Sequence, residues 1–118
     1  LKHPQGKLVR VVKGEIFDVA VDMRESSQTF GQWLGKKLGA DENEILWIPP
    51  GFAHGFLVIS DIAELVYKCT DYYAPLDEHT VAWDDNQLCI AWPLSGDHPI
   101  VSEKDKSGVS FQHAQKYP

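Results

Sequence analysis

Apolar and polar residues alternate along the first half of this chain with the period of two that marks a half-buried strand. Residues 15–23 show it most cleanly. Phe17, Val19, Val21 and Met23 share one face, and Asp18 and Asp22 share the other. The pattern reads the two aspartates as a polar rim. Residues 8–12 form an earlier β-rich run, divided from it by the turn Lys13-Gly14-Glu15. Further strands are predicted over 29–38, 45–48, 56–60 and 63–70, a short one over 79–83, and a last run over 89–93. Polar or Gly-containing turns fall at 24–28, 39–43 and 84–86, and a longer connection at 71–78. The tail from Ser102 is polar, with one or two helical turns expected over 111–117.

Roughly eight short strands with turn chemistry between them predict an all-β sandwich or jelly roll. Residues 1–118 read as one domain without repeats. A first strand that begins so abruptly is expected at a bare sheet edge, open to pairing with another chain.

Composition narrows the classes. The chain has 118 residues, 43% of them apolar, enough for one core. Eleven Lys and Arg stand against 17 Asp and Glu, a net charge of −6, which argues against a broad nucleic-acid surface. Cys69 and Cys89 form neither a metal spacing nor a disulfide framework, so a reducing cytoplasm is the expected setting. No apolar run is long enough to cross a bilayer. The chain starts Leu1-Lys2-His3-Pro4, and its only methionine is Met23. The natural protein is expected to continue upstream.

The densest chemistry lies in Trp47-Ile48-Pro49-Pro50-Gly51-Phe52-Ala53-His54-Gly55-Phe56. A Pro-Pro-Gly corner there aims His54 from a rigid turn. With Tyr67-Lys68 and Gln5-Gly6-Lys7, it suggests a pocket that handles protons or anions. Position alone leaves the alternatives open. His54 also reads as a hydrogen-bonded core histidine, Lys7 as a solvated lysine and Tyr67 as an ordinary strand tyrosine. His79, His98 and His113 have no partner pattern and read as surface residues.

Longer stretches carry a resemblance. They are Gln5-Gly6-Lys7-Leu8-Val9-Arg10, Gly14-Glu15-Ile16-Phe17-Asp18-Val19-Ala20-Val21-Asp22, Thr29-Phe30-Gly31-Gln32-Trp33, Leu46-Trp47-Ile48-Pro49 and Gly51-Phe52-Ala53-His54-Gly55-Phe56. Ala63-Glu64, Tyr67-Lys68, Asp71-Tyr72-Tyr73-Ala74-Pro75 and Ser102-Glu103-Lys104-Asp105 complete the set. Colinear over nearly the whole chain, they resemble the dTDP-4-dehydrorhamnose 3,5-epimerase family of nucleotide-sugar enzymes.

The resemblance implies a double-stranded β-helix of the cupin type, a homodimer, a dTDP-linked 4-keto-6-deoxyhexose as substrate, and no cofactor or metal. The chemistry it implies is proton removal at C3 and C5, both α to the C4 ketone, and reprotonation from the opposite face. By resemblance, Tyr67 is the general acid, and Lys7 and His54 line the pocket near the developing enolate charge. Asp105 orients a catalytic histidine, and Glu78 and Lys104 contact the substrate or its nucleotide. Trp33 and Trp47 match positions of core or pocket wall. The general base of the family lies in an Arg-Gly-Leu-His stretch that these residues do not contain. Ile45 and Glu42 depart from the polar residue and the Asn usual at their positions.

A cupin metal site needs a His-x-His pair with a downstream Glu and His, and His54 stands without such a partner. Two rival readings remain: a cupin-like dimeric module that holds its ligand weakly or not at all, and a related 3- or 5-epimerase.

Overall fold

The computed structural model describes residues 6–69, 79–94 and 99–117. Among them run six strands: β1 (Lys7–Lys13), β2 (Glu15–Asp22), β3 (Trp33–Gly39), β4 (Ile45–Ile48), β5 (Phe52–Val58) and β6 (Glu64–Cys69). They form two antiparallel three-stranded sheets, ordered β4-β1-β6 and β3-β2-β5. The chain passes from one sheet to the other after β1, β3, β4 and β5, as a β-roll requires. The expected jelly roll is therefore present. A four-residue helix, α1 (Glu103–Lys106), is the only α-helix among the described residues. Residues 111–113 form a single turn closed by Ala114 N–H on Ser110 O at 2.9 Å, the shorter of the one or two turns expected there, and the α-helix of the tail lies earlier, at α1.

Three other expectations change. β1 is the centre of its sheet, flanked by β4 and β6, and is no bare edge. The strand after the corner starts at Phe52 rather than Phe56, which puts His54 inside β5. Residues 79–83 and 89–93 form no strand; Val81 makes a lone parallel bridge to Val109.

β2 organises the core because both of its faces are covered. Ile16, with Val9, Val11, Leu38 and Ile48, fills the space between the sheets. Val19, Val21 and Met23, on the alternate face, pack with Leu88, Phe111 and Ala114 from the later segment. Asp18 and Asp22 are consequently no rim, since each is only 1% exposed. A carboxylate so placed needs partners. Asp22 has many: Arg24 Nε and Nη2 donate at 3.0 Å each, the Ser27 and Thr29 hydroxyls at 2.6 and 2.5 Å, and Arg24 N–H at 3.0 Å. These bonds, led by that from Arg24, hold the Asp22 carboxyl well below the usual carboxylate range. Gly14, at φ +79°, makes the β1–β2 turn where a Cβ would come within 2.1 Å of Ile62 O.

Candidate functional site

The Pro49-Pro50 pair ends β4, and Gly51 turns the chain at φ +92°, a left-handed value that favours glycine. β5 then pairs with β2 so that His54 stands opposite Ala20. This register carries the imidazole to Asp18, whose Oδ2 accepts from His54 Nε2–H at 2.7 Å. The His54 side chain keeps 11% of its surface exposed, while Asp18 keeps none. Among the described residues Asp18 Oδ1 has no hydrogen-bond partner. A short bond from a buried carboxylate fixes the ring orientation and leaves Nδ1 as the other ring nitrogen.

His54 lines a cavity of ≈ 340 Å³. Lys7, from the first position of β1, lines it too, as do Lys104 and Asp105 from α1. Contacts on either side of α1 set its place. The Ser102 hydroxyl caps it by accepting Asp105 N–H at 3.2 Å. Just beyond it, Val109 N–H bonds Thr80 O at 2.9 Å, and Ala82 N–H bonds Val109 O at 2.7 Å. Gly108 permits this approach, since a Cβ there would lie 2.8 Å from Ala82 N and from Val81 C. Val19, Val21, Leu88, Ile90 and Trp92 supply apolar wall. Trp92 is held by its Nε1–H on Trp83 O at 2.8 Å and by an edge-on contact with Phe17, centroids 6.2 Å apart.

The fold thus brings together four residues singled out in the sequence: Lys7, His54, Lys104 and Asp105. Tyr67 does not line this cavity. It is 59% exposed on β6, with its ring 5.9 Å from the Lys7 ammonium. Glu78 lies outside the described residues, as does His98. Trp33 packs against the core, and Trp47 is half-exposed over Gly6, so neither forms cavity wall. His113 is exposed and bonded to Ser110 Oγ at 2.8 Å. His79, expected on the surface, is exposed and also lines the cavity.

Asp18, Trp83 and Trp92 belong to this site without a motif of their own in the sequence. For Asp18 the signal was a carboxylate midway along a strand whose same-face neighbours, Ile16 and Ala20, are apolar. Among the described residues, no group of three or more His, Cys, Asp and Glu side chains is placed to hold a metal ion. No helix among them is long and apolar enough to cross a membrane. The arrangement of two ammonium groups, an oriented imidazole and a carboxylate over apolar walls suits a ligand with anionic and apolar parts, and can stabilise negative charge developing on oxygen.

Comparison with known proteins adds an independent line. The family profile described as dTDP-4-dehydrorhamnose 3,5-epimerase matches residues 1–113. A dTDP-4-dehydrorhamnose 3,5-epimerase of Pseudomonas aeruginosa is 52% identical over 118 residues, covering 100% of this chain and 65% of its own length. One from Neisseria gonorrhoeae is 56% identical over 115 residues, covering 98% of this chain and 35% of its own. The crystal structure of the dTDP-6-deoxy-D-glucose-3,5-epimerase of Legionella pneumophila Philadelphia 1, in complex with dTDP-4-keto-L-rhamnose, superposes with a TM-score of 0.89 at 48% identity. That match covers 94% of this chain and 61% of the Legionella chain. The present chain spans less than two thirds of the length of each of these three proteins.

Proposed function

The chain belongs to the dTDP-4-dehydrorhamnose 3,5-epimerase family, and from that premise we propose that it carries most of the site at which a dTDP-linked 4-keto-6-deoxyhexose is epimerised at C3 and C5, in dTDP-L-rhamnose synthesis. The observation that carries the reading is the shared cavity of Lys7, His54, Lys104 and Asp105. Removing a proton next to a ketone puts charge on the ketone oxygen, and a fixed cation or N–H donor beside it lowers the barrier. Lys7 and His54 fill that role. Lys104 and Glu78 contact the sugar or its diphosphate. Asp105 takes the place of the carboxylate that orients the family's histidine base, which lies in an Arg-Gly-Leu-His stretch outside these 118 residues. Tyr67, whose ring lies 5.9 Å from the Lys7 ammonium, returns the proton.

The base is the part the 118 residues do not supply. Loss of a general base costs on the order of 10²–10⁴ in rate. Ligand binding is therefore the readout that these 118 residues support directly. The reading includes a cytoplasmic homodimer of single-domain chains. Its support is the outer face of the β4-β1-β6 sheet, where Leu8, Val12, Ile45, Trp47 and Val66 are all exposed.

Titration with the keto-sugar nucleotide, followed by NMR, is the test. Signals of Lys7, His54 and the 104–105 pair are expected to shift together, and deuterium is expected to enter the sugar at C3 and C5 in D₂O where the base-bearing segment is present. In a full-length protein, Tyr67→Phe is expected to lower epimerisation far more than binding. A titration that leaves the three cavity segments unmoved overturns the assignment.

A further inference from the structure

We propose that Arg24 is a positioning residue of this site: clamped by Asp22, it lies across Gly51 and Phe52 and fixes the corner from which β5 carries His54 to Asp18. The corner cannot hold itself. Pro49 and Pro50 have no backbone N–H to donate, and Gly51 is the residue least restrained by its own side chain. What holds it comes from the segment after β2. Met23 N–H donates to Gly51 O at 3.0 Å. The aliphatic part of Arg24 fills the space a side chain at 51 would need, since a Cβ there would stand 2.7 Å from Arg24 Cγ and 2.9 Å from Cδ. The guanidinium sits 4.9 Å from the centroid of the Phe52 ring, a cation–π contact.

The clamp on Arg24 is itself over-determined. Asp22 takes both Arg24 Nε and Nη2 at 3.0 Å, a fork that fixes the plane of the guanidinium as well as its position. Ser27 Oγ accepts a further Arg24 Nη2 contact at 3.3 Å. Asp22 is opposite Phe52 in the strand register, and Ala20 is opposite His54. A shift of the corner along β2 would therefore displace His54 from Asp18 directly, because His54 stands two positions after Phe52 on the same extended strand. All five polar contacts on the buried Asp22 carboxylate come from Arg24, Ser27 and Thr29, so the loop after β2 and the guanidinium it places on the corner are held as one unit.

The proposal rests on the reading of His54 as a site residue, but its readout is the ring itself and needs no turnover, so either can fail alone. The test is the ¹⁵N-resolved His54 Nε2–H signal of the 118-residue chain, with the Ser110-bonded ring of His113 as internal control. Arg24→Met keeps the stem over Gly51 and removes the cation. The expected result is a folded protein that has lost the His54 signal and kept that of His113. Arg24→Lys restores a cation on a similar stem without the fork and is expected to restore the signal in part. An unchanged His54 signal in folded Arg24→Met overturns the proposal, and so does its loss in folded Arg24→Lys. Where Arg24→Met does not fold, Arg24→Lys decides: a weakened or shifted His54 signal beside an unchanged His113 supports the proposal, and an unchanged His54 signal overturns it. If neither folds, Arg24 is a determinant of the whole fold, and the positioning role is again overturned.

Discussion

Removing the Asp18 carboxylate should be far more damaging than neutralising it. Asp18 is 1% exposed in the middle of β2, with one oxygen on His54 Nε2 at 2.7 Å and the other without a partner among the described residues. The cross-strand neighbour Lys36 does not rescue it, because its ammonium is 2.9 Å from Glu44. Asp18→Ala deletes a charge-assisted bond, worth about 1.5–3 kcal/mol, and strands the imidazole N–H, at a further cost of about 1–3 kcal/mol. The cavity beside His54 admits water to that ring, which keeps the total near the low end, about 3 kcal/mol, at the bottom of the range for breaking a buried pair. Asp18→Asn keeps an oxygen for Nε2–H and relieves the desolvated charge. It exchanges a charge-assisted bond for a neutral one and should cost only about 1 kcal/mol. Urea unfolding measures both, with the slope of the transition expected to match the parent protein so that the midpoint reports stability. If Asp18→Asn destabilises as much as Asp18→Ala, the negative charge and not the bond geometry holds the ring. If Asp18→Ala costs less than about 1 kcal/mol, the pair has no structural weight, and the reasoning from the 2.7 Å bond fails.

Other consequences follow from single contacts. The bonds that hold Asp22 below the usual carboxylate range make its contribution complete above the unfolded-state value of about 3.9, and lost as pH falls below it. Urea midpoints between pH 2 and 6 should therefore drop steeply on the acid side, and Asp22→Asn should flatten that limb; equal acid sensitivity in the two proteins counts against the clamp. Asp85, lowered chiefly by the Phe111 backbone N–H, should behave in the same direction. Gly35→Ala would push a methyl to 2.2 Å from Phe17 Cζ, and overpacking of this kind costs about 1–3 kcal/mol; an unaltered melting curve refutes it. Gly108→Ala would force the tail off residues 81–82, so hydrogen exchange at the Ala82 and Val109 amides should accelerate while the β2 amides stay protected.

The strand pattern made β1, β2, β4 and β6 legible to within a few residues, because period-two alternation is a local property. It could not report pairing. β1 reads as an edge when only its chain neighbours are considered, yet β4 and β6, more than thirty residues on, close over both its sides. The weak strand signals at 79–83 and 89–93 came from apolar residues that pack on β2 without a ladder. Lys7, His54 and the Lys104-Asp105 pair lie on segments far apart in sequence. Nothing in their spacing brings them to one cavity, and only the resemblance to a known family assembled them in advance. Tyr67, placed by the same resemblance, stands outside the cavity wall beside Lys7.

Asp18 and Asp22 make the limit concrete. They are four residues apart on the same face of one strand, equally buried, and identical to any reading based on alternation. Their partners separate them. Those of Asp22 come from the next seven residues, Arg24, Ser27 and Thr29, and use both of its oxygens. The one side-chain partner of Asp18 among the described residues comes from 36 positions away and leaves an oxygen unused. A saturated buried carboxylate is explained by the fold that surrounds it. One left half-paired, with its only bond to an imidazole on a cavity wall, is a cost that folding alone does not require. That asymmetry makes Asp22 part of the scaffold that sets the corner, and leaves Asp18 bound to the one imidazole that the corner places on the cavity wall.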